Sequence, residues 1–369
     1  MMNHGNFKEE SIKGRYITLD RLENYLTKLK ISETKVEGES VNGRPIKSLL
    51  LGKGSLKILM WSQMHGNEST TTKAVLDLVN FLKSQNKIAQ SIVETCTLLI
   101  VPILNPDGAK NYTRVNANAV DLNRDAKQLT QPESKVLCKL FNEFKPAYCF
   151  NLHDQRTLFS VGNSNKPATV SFLSPSSDES RKLTPTRETA MRLIVAMNAK
   201  LQALIPGQVG RYDDGFNENC VGDSFQMEAV PTILFEAGHY PNDYQREKTR
   251  EFIFYALVGG IETISNGNIE EFKTDDYFKI PENEKLFYDI LVYNAENVNS
   301  ELESNTGVGI RYKEVLEDNM INFVPEIAEI ENVEGFFGHE TFDCTNTEDL
   351  NLLNKRKDVL DLLQDVRKL

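Results

Sequence analysis

Four short apolar runs, LKILMWSQ (56–63), TLLIVPIL (97–104), AYCFNL (147–152) and TILFEA (232–237), recur along the chain with long amphipathic stretches between them. Their length and their branched and aromatic content suit strands buried on both faces. The stretches between them repeat apolar groups at helical spacing. Ala74, Val75, Leu78, Val79 and Leu82 form one stripe, whose start is marked by Ser69 and Thr70. QPESKVLCKLFNEFKP has Pro132 near a helix start and Pro146 just past its end. TPTRETAMRLIVAMNAKLQALIPG opens near Thr184–Pro185 and stops at Pro206–Gly207, and YQREKTREFIFYALVGGIETISNG closes at Asn266–Gly267. Strands alternating with helices predict an α/β fold, a mostly parallel mixed sheet with helices on both faces.

Past residue 270 the pattern changes. PENEKLFYDILVYNA reads as a further helix with Pro281 in its first turn, and strand-like pieces follow in GVGIRYKEV, MINFVPEIAEI and GFFGHETFD. The stretch from Asn346 to the end reads as a terminal helix capped by that asparagine, with acids early and bases late to suit the helix dipole. The expected division is an α/β domain over 1–270 and a small C-terminal α+β unit of unknown role over 271–369.

The balance of 42 basic against 53 acidic residues gives a net charge of −11, which argues against a nucleic-acid-binding surface. The longest apolar runs, such as FIFYALVGGI, are too short to span a bilayer, and MMNHGNFKEESIKGRY lacks the apolar core of a secretory signal. These readings predict a cytoplasmic protein without a membrane partner. Five scattered cysteines without a C-x-x-C motif are expected to be reduced and packed as small hydrophobes.

Candidate chemistry gathers where the four apolar runs end. HGNE (65–68) follows the first, NPDGAKNYTRVNANAVDLNRDA (105–126) the second, HD (153–154) the third, and Glu236 lies within the fourth. A His…Glu pair alone is a weak signal in so acidic a chain. Its weight comes from the coincidence that His65, Glu68, His153 and Glu236 all fall where an open α/β sheet builds its site.

In HGNE, NPDG, RVNANAVDLNR, NLH and FEAG the sequence resembles the M14 (carboxypeptidase A-like) zinc carboxypeptidases over roughly residues 40–265. The same fold and metal set also serve the aspartoacylase and succinylglutamate desuccinylase branch. The resemblance implies a zinc carboxypeptidase-like catalytic domain over 1–270 holding one Zn2+ per chain on His65, Glu68 and His153. Two histidines and a glutamate are a common catalytic zinc set, leaving a position for water. It further implies Glu236 as general base, Arg114 beside the substrate carbonyl, and Asn123 with Arg124 as the clamp for a free carboxylate.

Tyr212 is the candidate for the family's mobile tyrosine, although Asp214 and Phe216 occupy its neighbourhood. Asp213, Asp214 and Asp223, in a loop that would line the specificity pocket, could hold a substrate ammonium. Asp125 replaces a usual asparagine beside the clamp, Asp154 stands next to His153 to orient an imidazole or cap a turn, and His239 offers a rival Glu-x-x-His pair. The implied activity is hydrolysis of the C-terminal amide bond of a peptide or peptide-like substrate with a free carboxylate. An N-acyl amino acid deacylase on the same fold and a non-catalytic binding module stay open, as does the oligomeric state.

Overall fold

The structure is a computed structural model describing residues 3–30, 33–331 and 333–366. Its first nine strands are β1 (Thr34–Glu39), β2 (Pro45–Gly52), β3 (Leu56–Trp61), β4 (Cys96–Val101), β5 (Tyr148–Asp154), β6 (Ser160–Val161), β7 (Val170–Leu173), β8 (Val209–Arg211) and β9 (Thr232–Ala237). Eight of them form one sheet in the order β1-β2-β4-β3-β5-β9-β7-β8. The β4-β3-β5-β9 centre is parallel, while β2 joins β4 and β7 joins β9 antiparallel. The four apolar runs are that parallel centre. Their alternate residues are buried on opposite faces, as a two-sided sheet requires. Ile58, Met60, Phe150, Leu152, Ile233 and Phe235 join the larger core beneath the helices Thr70–Leu82, Pro185–Gln202 and Glu247–Asn266. Leu59, Trp61, Leu99, Val101 and Cys149 face the other way, against the helix Pro132–Phe144 and Phe225.

One buried charge network pins the larger core. Asp77 in the helix Thr70–Leu82 accepts from Arg250 Nε at 2.6 Å and Nη2 at 2.5 Å, from His4 Nε2 at 2.7 Å and from the Glu9 backbone at 2.7 Å. Asp77 and Arg250 are both fully buried. All five cysteines are free. Among the described residues, no helix is long and apolar enough to cross a membrane.

Beyond residue 270 the chain adds β10 (Asn283–Glu284), β11 (Phe287–Tyr293), β12 (Gly307–Glu317), β13 (Met320–Glu331) and β14 (Phe337–Asp343). The last four make a second sheet, β13-β12-β11-β14. The helix expected over PENEKLFYDILVYNA is therefore replaced by β10 and β11. Phe287 to Val292 are buried on both faces of a strand held between β12 and β14, and the aromatic and branched side chains there fit a pleated surface better than a helix. The terminal helix is two helices, Thr347–Leu353 and Lys357–Gln364, with Asn346 capping the first; residues 367–369 lie outside the described part. Ile290, Val308, Ile310, Phe342, Leu353 and Leu363 share an apolar cluster there. This C-terminal region meets the N-terminal segment through Arg15–Glu314 at 3.0 Å and the loop after β9 through Tyr244–Asp289 at 2.9 Å, and β10 pairs with β6 in a separate two-stranded sheet.

Candidate metal centre

The loop leaving β3 turns sharply because its glycine lies on another backbone. A Cβ on Gly66 would stand 1.9 Å from the carbonyl carbon of Gly108, so HGNE and NPDG are pressed together at two glycines. Asn105 holds that junction: its side chain accepts from Gly108 N at 2.8 Å and donates to Met64 O at 3.2 Å. Pro106 then opens a short helix at its first turn. The result brings His65 and Glu68 over the end of β5, which carries His153.

Three donor atoms converge there. His65 Nδ1 lies 2.8 Å from Glu68 Oε1, His153 Nδ1 lies 2.8 Å from Glu68 Oε2, and the two Nδ1 atoms are 3.1 Å apart. The three residues are buried, and the group can hold a metal ion. Asp121 Oδ1 sits 2.9 Å from His65 Nε2, so the ring proton belongs on that nitrogen and the Nδ1 lone pair faces inward. Donor chemistry, tautomer and convergence all fit a catalytic zinc. Burial favours the neutral form of Glu68, but the two imidazoles outweigh it and hold the carboxyl far below the usual range. For His65, burial is overcome by Glu68 and Asp121 and the ring pKa is raised; for His153, burial prevails and lowers it.

Glu236 is the direct register partner of His153 across β5 and β9. Its Oε2 is buried without a hydrogen-bond partner among the described residues. Burial first, then the charges of Glu68 and Asp154, push its carboxyl well above the ordinary range. Arg114 reaches toward the triad, with Nη1 at 3.3 Å from Glu68 Oε1 and Nη2 at 3.1 Å from Asp121 Oδ2.

The asparagines of RVNANAVDLNR build the loop that presents these groups. Asn116 Oδ1 accepts from the backbones of Asn118 and Val120, and its Nδ2 donates to Gln131 and Glu133. Asn123 and Arg124 sit on a short turn, Leu122–Arg124, and line the same cleft. Asn123 Oδ1 accepts from Val221 N at 3.3 Å. Arg124 donates only to the Asn123 carbonyl, at 2.8 Å, and makes no ion pair among the described residues.

The cleft, about 390 Å³, also takes in Gln155, Arg156, Phe159, Tyr212, Asp213 and Asp223. Tyr212 donates to Gln155 Oε1 at 2.6 Å and packs edge-on against Phe159. Asp223 is buried, and burial lifts its carboxyl to about 6 although Asn217 N donates to it at 3.0 Å. Asp214 is tied to Arg181 and Arg187, and Asp213 to Arg181. Asp125 does not line the cleft; it accepts from Thr130 N and Gln131 N at 2.9 Å each. Asp154 caps the helix after Glu68, accepting from Thr70 N at 2.8 Å and Thr71 N at 3.2 Å. His239 stands apart from the triad, its ring 4.1 Å from that of His339.

Asp121, Gln155 and Arg156 were not singled out from the sequence. Asp121 could have been, since it lies inside the DLNR block; the other two carry no local signal.

An eight-stranded α/β sheet with a buried His–Glu–His cluster at its strand ends describes a class of metal-dependent hydrolases. The sequence profile of the zinc carboxypeptidase family, peptidase M14, matches residues 22–223, more than half of the chain, and the chain belongs to that family. Carboxypeptidase 2 of Trichophyton equinum is 28% identical over 171 residues, which is 44% of this chain and 30% of that protein. Carboxypeptidase SOL1 of Arabidopsis thaliana is 32% identical over 164 residues, 37% of this chain and 33% of that protein. The chain thus spans about a third of the length of these relatives. Among solved structures, a metallo-carboxypeptidase from Pseudomonas aeruginosa superposes with a TM-score of 0.54 at 18% identity, covering 67% of this chain and 69% of that one. The carboxypeptidase A of Helicoverpa armigera gives 0.54 at 17% identity over 68% and 73%. These likenesses establish the fold.

Proposed function

We propose that the protein is a zinc-dependent metallocarboxypeptidase that hydrolyses the C-terminal amide bond of a peptide or peptide-like substrate. The observation that carries this reading is the convergence of His65 Nδ1, Glu68 and His153 Nδ1 at 2.8–3.1 Å beside Glu236, whose buried Oε2 has no hydrogen-bond partner among the described residues. One zinc held by the three residues would supply an activated water and a polarised carbonyl. Asp121 orients His65 for that task.

Glu236 acts as general base, taking a proton from water and handing it to the leaving amine. Arg114, already aimed at the triad, stabilises negative charge developing on the carbonyl oxygen. Arg124, without an ion pair among the described residues, pairs with the terminal carboxylate, and Asn123 beside it completes the grip. Tyr212 and Asp223 both line the cleft, and Asp223 favours a cationic group on the released residue.

The test is a hydrolysis screen of zinc-loaded protein on N-blocked di- and tripeptides, their C-terminal amides and short N-acyl amino acids, with a chelated control. Zinc-dependent release of the last residue, much faster from the peptides than from their amides, is the expected result. Cleavage restricted to short N-acyl amino acids would make the enzyme a deacylase. Binding that withstands chelation, with no hydrolysis of any substrate, would make it a binding module.

A further inference from the structure

The strap that links the two sheets enters the wall of the cleft. Arg211 at the end of β8 holds it: its backbone N–H donates to Pro281 O at 2.9 Å, its Nε to Ile280 O at 2.8 Å, and its Nη1 pairs with Glu282 at 2.8 Å. Asn283 follows, paired with Val161 in the two-stranded β10-β6 ladder. Its side chain turns inward over Gly210, where an added Cβ would stand only 2.0 Å from Asn283 Oδ1. Asn283 Nδ2 donates to Gln155 Oε1 at 3.1 Å and contacts Ser171 Oγ at 2.9 Å. Ser171 is in turn the register partner of Glu236.

Gln155 is thereby fully committed. Its amide oxygen has two acceptor positions, filled by Asn283 Nδ2 and the Tyr212 hydroxyl, and its Nε2 donates to Ala168 O at 2.5 Å and Ser171 Oγ at 3.3 Å. A buried amide with every site filled has one orientation. Removing the Asn283 donor leaves one acceptor position of Gln155 Oε1 empty and takes away one of the four bonds that fix the amide, loosening the acceptor that holds Tyr212.

We propose that Asn283, from the segment after residue 270, is a positioning residue for the cleft, acting through Gln155 to hold Tyr212 in place. The inference rests on the proposed carboxypeptidase reading for its kinetic consequence. It assigns the strap a part in substrate engagement. Among the described residues the Asn283 side chain bonds only to Gln155 and Ser171 and to no member of the metal triad.

The experiment is a double-mutant cycle in the full chain, Asn283→Ala with Tyr212→Phe, read by steady-state kinetics on an N-blocked dipeptide and by urea midpoints. Asn283→Ala should raise KM about tenfold with kcat within about twofold, and in the Tyr212→Phe background it should add less than about twofold. Gly210→Ala serves as a second route, because its new Cβ meets Asn283 Oδ1 first and nothing else nearer than 3.1 Å. It should raise KM like Asn283→Ala, and the two together should not add.

An unchanged KM, an equal effect with and without the Tyr212 hydroxyl, or a loss confined to the active fraction would overturn the proposal. If the wild-type protein hydrolyses no substrate, the carboxypeptidase reading fails and the urea cycle decides for the strap alone. Non-additive midpoints then uphold the Asn283–Gln155–Tyr212 coupling, and additive ones overturn it.

Discussion

Asp121→Ala is the sharpest probe of the metal centre, because it removes a group that touches one proposed ligand from outside. Asp121 Oδ1 holds His65 Nε2 at 2.9 Å, and the carboxyl is kept far below the usual range because His65 and Arg114 outweigh its partial burial. Losing such an outer partner typically weakens a metal site by about 10–100-fold. Each factor of ten is about 1.4 kcal/mol, so the variant should lose roughly 1.4–2.8 kcal/mol of zinc binding. The same amount should vanish from the zinc-dependent part of the unfolding free energy at fixed free zinc. Competition against a chromophoric chelator reads the first quantity, and urea unfolding with and without zinc reads the second. Arg114→Ala is the control of opposite sign: it removes a cation 3.3 Å from Glu68 and should leave zinc affinity equal or higher. If Asp121→Ala keeps its zinc affinity within twofold, or loses as much stability without zinc as with it, His65 is not being oriented for a metal.

Three further outcomes follow from the geometry. Glu236→Gln should bind zinc normally and lose about 10²–10⁴-fold in kcat; a near-normal rate would remove Glu236 from the proton path. Arg124→Ala should raise KM for free-carboxylate substrates, while the weak turnover of their C-terminal amides stays the same; an equal loss on both would sink the clamp. Asp77→Ala takes from the fully buried Arg250 its two shortest charged contacts, leaving it Glu247 at 3.3 Å and two backbone carbonyls, and should cost about 3 kcal/mol in urea unfolding; a cost under about 1 kcal/mol would mean that Glu247 alone compensates the guanidinium.

The parallel centre of the sheet was legible because β3, β4, β5 and β9 are buried on both faces and so stand out as unbroken apolar runs. The edges were not. β1 is a mixed polar segment, TKVEGE, and β8 is only three residues long, so neither carries a readable period. β11 failed for a related reason. With Phe287 to Val292 all buried, strand and helix periods look alike, and only pairing with β12 and β14 decides between them.

His65, Glu68, His153, Glu236 and Arg114 could be read from motif blocks, and the fold brings them together. The Gln155–Asn283 contact joins positions 128 apart in the chain, and no local pattern announces it. Asp125 looked like an intruder beside the clamp, yet it is spent on Thr130 and Gln131.

The meeting of Gly66 and Gly108 sets a limit on how this protein can be altered. Because main chain rests on main chain there, the two segments have no slack: a methyl group on Gly66 would strike the backbone of Gly108 and Ala109, and one on Gly108 would strike Asn105 and the Val115 carbonyl, so either would push on the loop that carries His65 and Glu68. Substitutions at cleft positions such as Arg156 leave that contact untouched, but the glycine doublet should be left as it stands.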